Sequence, residues 1–155
     1  MNWFLNNREI IKDLSLNTGT SANPVYTVMC TTSEIELTTD LETTDFYVYC
    51  DAIQRSLVTG AALGLDATVK LDINNPAIQG LISKIHTLLS AGNVAQFNNE
   101  VIKFSLLSGV NDNVLEYTTY TVPAVLVFSD LGGAAEEEGE FALNIKFNGT
   151  ATVVQ

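Results

Sequence analysis

Between two runs that alternate like β-strands, A-V-L-V-F (124–128) and F-A-L-N-I-K-F (141–147), the chain carries S-D-L-G-G-A-A-E-E-E-G-E-F. Glu136, Glu137, Glu138 and Glu140 crowd four carboxylates into that link. Such a group can ligate a metal, solvate a loop tip or press against a neighbouring molecule. Elsewhere the metal chemistry is thin. The single histidine, His86, and two separated cysteines, Cys30 and Cys50, give no zinc-ligand spacing. N-D-N at 111–113 begins like a calcium loop but lacks the glycine and the closing glutamate such a loop needs. No glycine-rich phosphate loop is present. Paired carboxylates are plentiful, but a glycosidase also gathers aromatic platforms around them, and the only tryptophan is Trp3. No catalytic constellation can be written, so the chain reads as a non-enzyme without a cofactor.

The elements that would position these groups sit in a chain of 155 residues, enough for one domain with a real core. Apolar residues make up 46%, and 18 acids against 7 bases leave a net charge of −11. That balance excludes a basic footprint for nucleic acid and disfavours anionic membrane surfaces. The opening M-N-W-F-L-N-N-R-E-I-I-K lacks the pattern of an export signal. No apolar run reaches the length of a membrane-spanning helix, and L-V-T-G-A-A-L-G-L carries a G-x-x-x-G spacing without a membrane segment to give it meaning. The chain is expected to be soluble and made in the cytoplasm, with both cysteines reduced and buried.

Residues 1–24 read as an N-terminal arm. Trp3, Phe4, Leu5, Ile10 and Ile11 are apolar, and the turn formers L-N-T-G-T-S-A-N-P follow. The arm either folds back on its own domain or docks on another subunit. Residues 25–155 read as one β-rich domain. Strands are expected over 25–40, 45–50, 65–73, 101–107, 114–122, 124–128 and 141–147, with Pro123 breaking or bending the run and the tail as a possible last strand. Leu65, Ala67, Val69, Leu71 and Ile73 alternate with Asp66, Thr68, Lys70 and Asp72, so one face is dry and one wet. One helix is expected near 76–91: Asn75 caps it, Pro76 takes the first position, apolar residues recur every three or four, and Gly92 stops it. Seven or eight strands and one flanking helix make a β-barrel or sandwich. Few bases and only three prolines are available to blunt strand edges, which favours edges covered by neighbours.

Over most of residues 25–155 the chain resembles the phage major tail proteins, the tail-tube subunits of long-tailed phages. The resemblance rests on Y-T-V-M-C-T-T-S-E-I-E-L, F-Y-V-Y-C-D-A-I-Q-R-S-L-V-T-G and D-A-T-V-K-L-D-I with the helix after it. The closing V-F-S-D-L-G-G-A-A-E-E-E-G-E-F-A-L-N-I-K-F-N-G belongs to it too. It implies a β-barrel with a flanking helix and an extended N-terminal arm, assembled with itself into hexameric rings that stack into a tube. It further implies a virion location, tail-tip, terminator and tape-measure proteins as partners, and DNA passing through without specific binding. In such a tube, Glu136, Glu137, Glu138 and Glu140 are candidates for a ring-to-ring loop. Glu34, Glu36, Asp66, Asp72 and Glu116, from the wet faces of strands, are candidates for the lumen wall. Trp3, Phe4, Leu5, Ile10 and Ile11 are candidates for an inter-subunit arm. The alternative is a β-sandwich module binding a receptor or carbohydrate, with Tyr47, Tyr49, Tyr117 and Tyr120 as its aromatic patch.

Overall fold

A computed structural model of the chain describes residues 4–20, 22–47 and 53–154. Its elements are β1 (Ile11–Asn17), β2 (Tyr26–Val28), β3 (Thr32–Phe46), β4 (Arg55–Lys70), α1 (Pro76–Ala91), β5 (Glu100–Asn111), β6 (Val114–Ser129), β7 (Glu140–Phe147) and β8 (Thr152–Val153). All strand pairs are antiparallel, in the order β2-β1-β5-β6-β7-β4-β3, with β8 added to β6. The fold is the mainly β architecture with one flanking helix that the alternation of the sequence predicts.

The sheet rolls around one core. Leu65, Ala67 and Val69 of β4 lie in register with Ile145, Leu143 and Phe141 of β7, respectively, and all six are buried. Ile102 and Phe104 of β5 and Val122, Ala124 and Leu126 of β6 continue the same inner side. Phe104 stacks on Phe147, which ties β5 to the far end of β7. The helix closes one side with Ala77, Ile78 and Leu81. The Asn75 side chain caps it by accepting from the Ala77 amide at 2.9 Å, and its own amide donates to the Val28 carbonyl at 2.9 Å. Gly92 ends it in the left-handed region at φ 65°. Lys84 pairs with Glu100 and so links the helix to the start of β5; partial burial pulls the Lys84 ammonium below its ordinary pKa.

Several expectations are corrected by the structure. Residues 11–17, read as part of an arm, are β1, hydrogen-bonded to β2 on one side and β5 on the other. Ile11, Leu14 and Leu16 are core residues. A bulge between Lys12 and Ser15, with Asp13 at φ 58°, puts residues three apart on one face and hides the two-residue period. The turn formers after it make the β1–β2 loop, where the Asn17 carboxamide oxygen accepts from the Gly19 amide at 2.9 Å and the Val25 amide at 3.0 Å. The strand expected over 25–40 is broken at 29–31, and Cys30, expected in the core, is exposed. Pro123 does not end a strand. It stands where β6 passes from pairing with β5 to pairing with β7.

The largest correction concerns 55–64. Gly60 and Gly64 lie in β4, which starts ten residues before the expected Leu65. A Cβ on Gly64 would come within 2.5 Å of the Ile145 carbonyl oxygen, whereas one on Gly60 would stand 3.4 Å from the mobile end of the Glu42 side chain. Gly64→Ala is therefore expected to lower stability by about 1–3 kcal/mol through forced backbone displacement. Gly60→Ala should stay within about 0.5 kcal/mol of the parent. Urea denaturation midpoints of the two variants check the difference.

Candidate functional site

β7 pairs with β4 only from Gly64 to Lys70, whereas β3 pairs with β4 as far as Phe46 and Arg55. Beyond Gly64 the β3–β4 pair leaves the body as a two-stranded ribbon, extending about 30 Å at roughly 3.3 Å per residue. Alternation fixes its two sides. The side that meets the core at Ile35 and Leu37 runs outward through Thr39 and Leu41, opposite Leu63 and Ala61. Leu41 is 54% exposed, Leu63 43% and, further out, Val58 56%. The core-facing side of the ribbon thus carries exposed Leu41, Leu63 and Val58, interspersed with Thr39 and Thr43, after the core has ended. Near the tip Phe46, Tyr47 and Leu57 are exposed as well. Residues 48–52, including Tyr49 and Cys50, lie outside the described residues.

The other side of β3 is acidic. Glu34, Glu36, Asp40 and Glu42 occupy alternate positions with Thr38 between them, and all four acids are exposed. Asp66 lies directly opposite Glu36 in the register. Two carboxylates facing each other across a strand pair repel, and the Asn144 side-chain amide offsets this by donating to the Asp66 carboxylate at 2.6 Å. Among the described residues no group of three His, Cys, Asp or Glu side chains is arranged to hold a metal ion. The structure therefore brings Glu34, Glu36 and Asp66 together on one face. It does not bring Asp72 or Glu116 there. Asp72 is in the turn before α1, where its carboxylate accepts from the Asn74 amide at 3.1 Å. Glu116 sits opposite Gly109 in the β5–β6 hairpin, separated from β3 by β7 and β4 in the sheet order. Asp40 and Glu42 were missed, although the spacing Glu34-Glu36-Thr38-Asp40-Glu42 carries the same strand signal.

The acidic link is folded against the end of β4. The Leu71 amide donates to the Gly139 carbonyl at 2.8 Å. Lys70 reaches Glu140 at 2.8 Å and Glu138 at 3.8 Å, and the Glu140 hydrogen bond and charge raise the Lys70 pKa above its ordinary value. A raised lysine pKa means the contact is fully present at neutral pH and is lost only as pH rises through the raised value. Glu136 and Glu137 are exposed. Of the arm candidates, Trp3 lies outside the described residues, Phe4 is exposed, Leu5 is half-buried, Ile10 is at the surface and Ile11 is in the core.

No family model and no curated protein matches the chain. Solved structures do match its fold. A chain from the tail of an empty gene transfer agent particle, refined helically with C6 symmetry, gives a TM-score of 0.61 at 10% identity, covering 98% of this chain and all of that one. A chain from the virion of a native gene transfer agent particle gives 0.55 at 11% identity, over 92% of this chain and 96% of that one. A chain from the six-fold symmetrised baseplate of the anti-feeding prophage gives 0.54 at 13% identity, over 99% and 97%. The chain thus has, over nearly its whole length, the fold of these tail and baseplate chains.

Replacing Lys70 by Met is expected to release the acidic link. Cleavage by a glutamate-specific protease within 136–140 should accelerate at neutral pH, while the far-ultraviolet circular dichroism stays that of the parent. Unchanged cleavage would show that the backbone alone holds the link.

Proposed function

We propose that this chain is a structural virion protein, the repeating subunit of a phage-type tail tube. Copies join head to tail into rings of six, the rings stack, and the tube conducts DNA during ejection. The observation that carries this reading is the β3–β4 ribbon. A monomer has no use for a long two-stranded projection whose core-facing side carries exposed Leu41, Leu63 and Val58, and exposed apolar surface of this kind marks an interface. The shared fold supports the same conclusion, since its solved examples come from tail and baseplate assemblies, two of them with six-fold symmetry.

In this reading the ribbon lays Leu41, Leu63 and Val58 on a neighbouring ring. The Glu136–Glu138 tip and Glu140 make a second ring-to-ring contact. Residues before the Asn7–Glu9 turn form what remains of an inter-subunit arm. Glu34, Glu36 and Asp66, joined by Asp40 and Glu42, face the lumen, where like charge keeps passing phosphates from adhering to the wall. Tail-tip, terminator and tape-measure proteins are the further partners, the virion tail is the location, and no catalytic step is assigned. The surface tyrosines lend little to a glycan-binding module. Tyr117 and Tyr26 are covered by the ammonium groups of Lys12 and Lys103, at 3.8 and 5.4 Å from the ring centroids, and Tyr120 packs on the core.

Negative-stain electron microscopy of the purified chain over a concentration series is expected to show stacked rings or tubes with an open channel. Leu41→Asp together with Val58→Asp should abolish stacking while leaving the circular dichroism of the subunit unchanged. Parent protein that stays as uniform small particles at every concentration, even with tail-tip complexes added, would overturn the reading. In phage, reversing Asp66, which shares this face but lies on β4 rather than on the β3 edge, should impair DNA ejection with tubes intact.

A further inference from the structure

The rolled sheet has two free edges of opposite charge. One is β3, whose side away from β4 pairs with no strand among the described residues, and whose outer face carries Glu34, Glu36, Asp40 and Glu42. The other is formed by β2 and by the stretch Ile11–Asp13 of β1 that β2 is too short to cover. Arg8, Lys12 and Lys103 gather at this second edge and outnumber its acid Asp13, which the bulge turns out into solvent. Lys12 belongs to the edge strand itself, and the Lys103 ammonium reaches the edge by lying over Tyr26 of β2. None of these three bases has a carboxylate within ion-pair distance among the described residues. Within one chain the edges do not satisfy each other. A cleft of about 960 Å³ separates them, with Arg8 and Lys12 on one side and Glu34 and Glu36 on the other.

A long, flat, unpaired edge strand is a template for pairing with another chain. Pairing β3 of one copy with β3 of a second about a two-fold axis would set acid against acid along the whole row, which like-charge repulsion opposes. Pairing β3 with the β1–β2 edge of a second copy sets the acids beside Lys12, Lys103 and Arg8 on the same face of a continued sheet. We propose that this charge pattern is a selection device. It forbids two-fold dimerisation through β3, admits a second copy only head to tail, and so commits the chain to ring closure. The proposal rests on the assembly reading above and adds to it the residues that choose the partner edge.

Two variants test it in combination. Lys12→Glu with Lys103→Glu makes the second edge acidic like β3, and Glu34→Lys with Glu36→Lys makes the Glu34–Glu36 end of β3 basic like the second edge. Each alone is expected to raise the concentration needed for assembly at least about tenfold, because like charges meet at every contact. Mixed in equal amounts they should assemble as alternating copies, within about threefold of the parent concentration, since every contact again joins opposite charges. Sedimentation velocity gives the readout, with circular dichroism confirming that each variant is folded. A variant that does not fold is replaced by its Gln counterpart, for which the expected effect is a shallower salt dependence of assembly than the parent's. Parent protein that assembles while the charge-reversed variants assemble equally well overturns the selection device and leaves the tail-tube reading standing. So does a mixture that is not restored. Parent protein that never assembles overturns both.

Discussion

The length of β7 governs the rest of the molecule. It spans Glu140–Phe147 and pairs with β4 only over Gly64–Lys70. Where β7 stops, the core stops, because β4 loses one of its two neighbours and the inner row Leu65-Ala67-Val69 has nothing further to pack on. β3 and β4 continue regardless, held by their own ladder hydrogen bonds. A two-stranded ribbon in water is marginal by itself, so the mismatch in strand length between β7 and the β3–β4 pair creates a surface that needs covering. Gly64 marks the junction: it admits the Ile145 carbonyl where any side chain would push β7 away.

β3 is also the last strand of the sheet, so among the described residues its outer edge is unpaired over its full length. Natural sheets blunt such an edge with bulges, prolines or charge. Here the blunting is by charge of one sign, and a single-sign edge repels its own copy while remaining open to a basic one. Apolar ribbon, acidic edge and basic opposite edge are therefore three consequences of one unfinished sheet. Its repair by further copies of the chain is the function proposed for it.

Much of the fold was legible in the sequence wherever the periodicity was unbroken. The helix was readable from Asn75, Pro76 and Gly92 together with its apolar recurrence, because capping and periodicity agree there. The alternation from Leu65 to Val69 was equally plain, although the strand ends at Lys70, where Asp72 turns the chain toward α1. Two segments misled for physical reasons. In β1 the bulge at Asp13 shifts the parity of Ile11, Leu14 and Leu16, so a core strand looks like an irregular arm. In the ribbon, Gly60, Ala61, Ala62 and Gly64 carry too little side chain to show which face is which. Of the acids, Glu34, Glu36 and Asp66, each expected on the wet face of a strand, lie together on one face. Asp72 and Glu116 followed the same alternation on paper but belong to a turn and a distant hairpin, which only the pairing order reveals.

The central claim is that other copies of this chain cover the ribbon and the β3 edge. Amide hydrogen exchange across 32–46 and 55–63, in dilute and in concentrated protein, tests it most directly. The account predicts fast exchange from the unpaired side of β3 and from the ribbon in the dilute chain, slowing strongly with concentration, while amides of Leu65–Val69 and Phe141–Ile145 stay slow throughout. Exchange from the ribbon and edge that is the same at every concentration, in protein that remains a single small species, would contradict it.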